Sequence, residues 1–130
     1  MTICDPISDM LIRIKNAVRV EKEKIILPSS KIKIEILKVL KKEGYISDFS
    51  ISAKDKKSSI EVVLKYGKDN VSYVQDVKRI SKPSKRVYIK YPDIHTKTQS
   101  TVVLSTPKGI MPAKVAKKQR LGGEVLFEIF

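Results

Sequence analysis

The chain contains one cysteine, one histidine and no tryptophan in 130 residues. With Cys4 and His95 standing alone, there is no disulfide framework, no Cys/His zinc site and no two-histidine metal site. Glycine is scarce at five residues, and none is arranged as a P-loop or a G-x-G-x-x-G turn, so the usual cradles for nucleotide phosphates are missing. No apolar run approaches the roughly 20 residues of a membrane span. The start of the chain also lacks the basic-then-apolar plan of a secretory signal. A soluble protein of a reducing compartment is therefore expected, with no membrane partner, no small-molecule substrate and no cofactor. Acid is the remaining shortage. Fourteen Asp and Glu face 27 Lys and Arg, a net charge of +13, and that imbalance points to a polyanionic partner. The excess is +5 over residues 1–66 and +8 over 67–130, so it is not carried by a basic tail.

Apolar residues make up 42% of the chain, enough for one ordinary domain or two very small ones. Asp5 followed by Pro6 reads as a helix start, and Ile7, Met10, Leu11, Ile14 and Val18 recur at helical spacing to about Arg19. Ile25–Leu27 is a short strand. Ser29 and Ser30 can cap a second helix whose apolar stripe is Ile32, Ile36, Val39 and Leu40, closed by Gly44. Tyr45–Ser52 and Ser59–Tyr66 form a hairpin through the polar turn Ala53–Lys57. Residues 1–66 thus read as αβαββ.

A polar break at Gly67–Asn70 sets the second domain at 71–130. Val71–Ile80 and Arg86–Tyr91 read as strands joined by the turn Ser81–Ser84, and Pro92–Ser100 as an irregular connection. Thr101–Leu104 is a strand, Ser105–Gly109 a turn, Pro112–Arg120 a short helix ended by Gly122 and Gly123, and Glu124–Phe130 a last strand. The expected class is α+β: an α/β first domain and a mainly β second domain.

Three groups of residues suit a polynucleotide. Ser105, Thr106, Pro107, Lys108 and Gly109 put two hydroxyls and a cation beside a residue without a Cβ, which lets RNA approach closely. An ordinary turn favours the same residues. Arg86, Tyr88 and Lys90 alternate on one strand face, where a ring between two cations can stack a base while the cations neutralise phosphate. Lys82 and Lys85 extend that charge. Lys31 beside Ser29 and Ser30, at a helix start, suits a phosphate, and simple capping accounts for the serines equally well.

Ser105, His95 and Asp93 include the residue types of a hydrolase triad, but Ser105 lies in no G-x-S-x-G elbow and nothing in the polar connection fixes the imidazole. No enzyme is expected. A basic DNA-binding regulator is the alternative, with Lys38, Lys41 and Lys42 on the second helix. Two helices split by a strand do not make a helix-turn-helix.

Asp5-Pro6-Ile7-Ser8-Asp9-Met10-Leu11, Arg13-Ile14-Lys15-Asn16, Pro28-Ser29-Ser30-Lys31, Leu104-Ser105-Thr106-Pro107-Lys108-Gly109-Ile110-Met111 and Leu121-Gly122-Gly123-Glu124, in that order, resemble the bacterial type of the small-subunit ribosomal protein eight family. Lys41–Ile46 and Arg79–Pro83 are similar to it as well. The resemblance implies a two-domain fold and primary binding to a helix in the central domain of small-subunit rRNA during early assembly. It implies neighbouring ribosomal proteins as further partners, and a ribosome of the bacterial cytoplasm or of an organelle. It also implies RNA contacts at Ser105, Thr106, Pro107, Lys108, Gly109, Tyr88, Gly122, Gly123, Glu124, Ser30 and Lys31. Some bacterial members bind their own operon's mRNA. Three departures stand out: Ser84 replaces a common glycine, Tyr91–Ser100 lacks a glycine-containing helical turn, and Pro107 replaces a serine, removing a hydroxyl and an N–H.

Overall fold

Pro6 opens helix α1 (Pro6–Arg19), as its fixed φ suits a first helical position. In this computed structural model the described residues are 5–54, 57–68, 71–96 and 99–130. They fall into two compact units, Pro6–Gln75 and Asp76–Phe130, the latter joined by Asp5.

In the first unit α1 buries Ile7, Met10, Leu11, Ile14 and Ala17. Its end is closed by Lys22 N–H donating to the Ala17 carbonyl at 2.9 Å, with Glu21 in the left-handed region at φ 57°. Strand β1 (Lys24–Pro28) follows, then helix α2 (Lys31–Lys42). Ser30 caps α2 by accepting from Lys33 N–H, and Gly44 closes it at φ 85° with Tyr45 N–H donating to the Leu40 carbonyl at 2.9 Å. Strands β2 (Ile46–Lys54) and β3 (Lys57–Leu64) pair antiparallel, and β1 adds to β3, giving the order β1-β3-β2. The bend between β2 and β3, and residues 69–70 of the expected break, lie outside the described residues. Ile60, Val62 and Leu64 are buried while Glu61 and Val63 alternate outward, as a one-sided sheet requires. Lys33 is also buried, its Nζ donating to the Pro28 carbonyl at 3.2 Å. Its stem fills apolar space while its charge meets a backbone acceptor.

The second unit is organised around strand β8 (Gly123–Ile129). It pairs with β6 (Thr101–Thr106) along its length and with the short strands β4 (Val77–Arg79) and β5 (Tyr88–Ile89) near its two ends. Strand β7 (Gly109–Pro112) pairs with β6, and helix α3 (Ala113–Lys118) follows it. One face packs Ile94, Leu104, Met111, Ala113, Ala116 and Val125 into a core, with Val87 and Ile89 against it. Arg79 Nε donates to Asp5 Oδ2 at 3.2 Å and Arg79 Nη1 to the Leu126 carbonyl, tying β4 and Asp5 to β8.

The class is the expected α+β, and several expected elements change. Val71–Ile80 forms a strand only at Val77–Arg79. Ser72 Oγ takes Val74 N–H at 3.0 Å, and such a local bond competes with a ladder, whereas Asp76 already exchanges main-chain bonds with Phe130 at 2.8 and 3.0 Å. Arg86–Tyr91 pairs only at Tyr88 and Ile89, because Val87 N–H goes to Ser81 Oγ and Tyr91–Asp93 turns into a short 3-10 helix around Pro92. Ser105–Gly109 is not a strand-to-helix turn. It is a β-hairpin in which Thr106 pairs with Gly109 and only Pro107 and Lys108 form the turn. Gly122 and Gly123 do not end α3; Arg120 does, at φ 57°, with Leu121 N–H donating to the Ala116 carbonyl at 2.9 Å. Pro112 precedes α3 as its cap residue instead of opening it. Ser84 keeps a negative φ, so the turn accommodates its side chain.

Candidate nucleic-acid interface

Antiparallel register places Tyr88 of β5 opposite Glu124 of β8, Glu124 opposite Ser105 of β6, and Ser105 opposite Ile110 of β7. Residues directly opposite share a sheet face. The row therefore presents a phenol, a carboxylate and a hydroxyl side by side. At roughly 4.8 Å per strand, Tyr88 and Ser105 stand on the order of 10 Å apart. Leu104 and Val125, paired one step to one side of the row, turn into the core, and Ile89, one step to the other side, packs against it. Tyr88 itself is exposed, 70% accessible, on the face of its strand away from that packing.

Beyond Ser105 the chain runs into the hairpin tip. Pro107 and Lys108 are exposed, and Thr106 is buried. Thr106 Oγ1 donates to the Gly109 carbonyl at 2.8 Å and accepts from Lys108 N–H at 3.3 Å. Its hydroxyl closes the turn that projects Lys108. Gly109 has φ 123°, a conformation that side-chain-bearing residues resist. No described residue hydrogen-bonds the Ser105 hydroxyl, so of the two hydroxyls it is the one open to an external partner.

Gly122 and Gly123 let the strands meet at this row. A Cβ on Gly122 would lie 2.5 Å from the Ile89 carbonyl oxygen, and one on Gly123 would overlap the Ser105 carbonyl oxygen. Both positions therefore act through the sheet's closeness.

Cations stand on the turn before β5 and on α3, the helix that packs on the opposite, core side of the sheet. Lys82 and Lys85 are exposed on a tight turn in which each main-chain N–H reaches the other's carbonyl, at 2.9 and 3.0 Å. Lys114, Lys117 and Lys118 face outward on α3 while Ala113 and Ala116 pack inward. Arg86 Nη1 donates to Glu124 Oε2 at 3.1 Å. Ser30 and Lys31 belong to the other unit, where Lys31 is exposed and the Ser30 hydroxyl serves the helix cap. Residues 5–130 match the family model described as ribosomal protein S8.

The chain belongs to the ribosomal protein S8 family.

Its curated relatives named small ribosomal subunit protein uS8 include that of Halalkalibacterium halodurans, 46% identical over 97% of each chain. Those of Acholeplasma laidlawii, 45% identical over 97% of each chain, and Koribacter versatilis, 42% identical over 97% of this chain and 96% of its own, are also similar.

Against the S8 family's motifs, the residue that sequence reasoning missed is Ser81. It is fully buried, donates to Glu124 Oε2 at 2.5 Å and accepts from Val87 N–H at 3.2 Å. Its signals in the sequence are its place within the family-like stretch Arg79–Pro83 and a hydroxyl next to Ile80 at the end of an apolar stretch, neither of which names a partner. A small polar residue there reads as part of a turn.

Chemically, the S8-type face offers stacking at Tyr88, one acceptor-only carboxylate, one donor-acceptor hydroxyl and a fringe of ammonium groups. That is a binding repertoire. Asp93 and His95 sit exposed around Ile94, and Ser105 lies within β6.

Proposed function

We propose that this chain is a structural constituent of the small ribosomal subunit that binds its rRNA directly. The carboxy-terminal unit, which begins at Asp76 where the sequence suggested a boundary at 71, carries the main RNA surface, and the first unit adds Ser30 and Lys31. The observation that carries the reading is the Tyr88–Glu124–Ser105 row beside the Lys108 hairpin tip. The family resemblance narrows the target to a helix of the central domain.

Regular A-form RNA hides its base edges in a deep, narrow groove, so a shallow protein face reads sequence only where a bulge or distorted minor groove opens the stem. In this reading Tyr88 stacks on an unpaired base, Ser105 meets a base edge or a 2′-OH, and Lys82, Lys85 and Lys108 neutralise phosphate. No step requires a cofactor, and the role is binding without catalysis. Neighbouring small-subunit proteins complete the assembly. An mRNA stem with the same irregular element would suit the same face, so repression of its own operon is the second reading. Among the described residues no helix is long and apolar enough to cross a membrane. A bacterial cytoplasmic ribosome, or an organellar one, is the proposed location.

Footprinting on naked small-subunit rRNA tests this, together with sedimentation with ribosomal subunits. Protection confined to one central-domain helix supports the proposal. Protection of duplex DNA in preference to rRNA would replace it with the regulator reading.

A further inference from the structure

Strand β5 has two paired residues, Tyr88 and Ile89, with Val87 C=O accepting Val125 N–H at 2.8 Å beside them, so only a short ladder holds the aromatic platform. Side chains supplement them. The fully buried Ser81 bridges Val87 N–H and Glu124 Oε2, at 3.2 and 2.5 Å. The same carboxylate oxygen takes Arg86 Nη1 at 3.1 Å, and the Glu124 side chain is only 17% exposed. One oxygen thus joins the residue before β5, the segment just upstream of it and the centre of the RNA-facing row. A charge-assisted bond of this kind is directional and stronger than a neutral one. It also engages Arg86 through Nη1, and although that side chain is 50% exposed, the neighbouring anion offsets its charge.

We infer that Ser81 and Arg86 are positioning residues that act through Glu124, setting the strand that carries Tyr88 and withholding Arg86 from phosphate. Phosphate attraction then comes from the lysines, and discrimination from the row. This rests on the rRNA-binding reading and adds to it a division of labour. The carboxylate also disfavours phosphate at the centre of the row, so a regular duplex gains little there.

The test measures binding of the folded full-length chain to two RNAs across a salt series: a central-domain fragment of bacterial small-subunit rRNA and a fully paired duplex of equal length. Lys108→Ala should flatten the log–log salt slope by roughly 0.7 to 0.9, whereas Arg86→Ala leaves it unchanged. Glu124→Gln frees the guanidinium charge. It should tighten duplex binding and steepen the slope by a similar step, while preference for the rRNA fragment falls about tenfold, the scale of one lost base-stacking contact. Ser81→Ala should lower that preference at constant slope, and adding Tyr88→Ala should lower it no further than Tyr88→Ala alone. A loss of general stability would not strengthen duplex binding. If Ser81→Ala fails to fold by thermal unfolding, the Arg86→Ala and Glu124→Gln slopes decide.

The inference is overturned if Arg86→Ala flattens the slope as Lys108→Ala does, or if Glu124→Gln leaves duplex binding unchanged. A wild-type chain that does not prefer the rRNA fragment would instead overturn the functional reading beneath it.

Discussion

Gly123 and Ser105 approach so closely that a methyl group on the glycine would overlap the serine carbonyl oxygen. That contact locks β8 against β6 at the level where the Tyr88–Glu124–Ser105 row crosses them, and backbone cannot swing away as a flexible side chain can. Gly123→Ala is expected to destabilise the second unit by on the order of 1–3 kcal/mol through overpacking. It should also weaken binding to a central-domain stem, because Ser105 and Glu124 lose register. Denaturant unfolding and filter binding on the same preparations check both; wild-type stability in the variant would contradict the account.

The hairpin tip divides its work among three residues. Lys108→Ala should weaken binding to every RNA alike, because a lysine meets phosphate as a point charge. Ser105→Ala should leave random duplex binding unchanged and reduce affinity for the cognate stem by about 0.5–1.5 kcal/mol, one net hydrogen bond. Thr106→Ala acts through the fold: with no hydroxyl to reach the Gly109 carbonyl and Lys108 N–H, the turn loosens and Lys108 loses its fixed direction. Thermal unfolding should fall for Thr106→Ala and stay level for Ser105→Ala. Equal losses on both RNAs for all three variants would refute the division.

Much of this was legible in the sequence. Helix α1 announced itself through Pro6 and the spacing of Ile7, Met10, Leu11 and Ile14, and α2 through Ser30 and Gly44, because caps and periodicity are local signals. The sheet of the second unit was harder to read. Gly122 and Gly123 looked like a helix stop, and only the tertiary approach of Ile89 and Ser105 explains them. Ser105 and Thr106 looked like turn residues because their hydroxyls suit turns. Thr106 instead pairs across the hairpin and uses its hydroxyl to close it. The Tyr88–Glu124–Ser105 row joins three distant segments, so register alone creates it, and Ser81 acquires its partners only once that register is set.

Asp5 and Arg79 form a long-range ion pair within the second unit, with side chains 17% and 10% exposed. Asp5→Ala would leave a mostly buried guanidinium with the Leu126 carbonyl as its remaining partner of those described above. A loss of about 1.5–3 kcal/mol is expected, the range for hydrogen bonds to charged groups. It should be seen in the unfolding of the second unit by amide exchange in β4 and β8. Unchanged protection there would show that the pair contributes nothing.

In the first unit, the Asp48 carboxylate is held below the ordinary aspartate value. The hydrogen bond from Lys41 Nζ is the largest cause, followed by the Phe49 N–H bond and the lysine charge. A depressed folded value means that its stabilising contribution is present above the unfolded value, near about 3.9, and is lost as pH falls through the folded one. The group is fully exposed, so the effect on stability is small. Carboxyl NMR titration of Lys41→Ala should show the Asp48 midpoint rising toward the ordinary value, and an unmoved midpoint would contradict the assignment.

The most direct test is equilibrium binding of the folded wild-type chain to a central-domain stem and to its fully paired counterpart at several ionic strengths. If about six phosphates are neutralised, the log–log slope should be roughly −4 to −5 on the stem, with the irregular stem bound more tightly at every salt concentration. Equal affinity for the two RNAs, or binding indifferent to salt, would contradict the account.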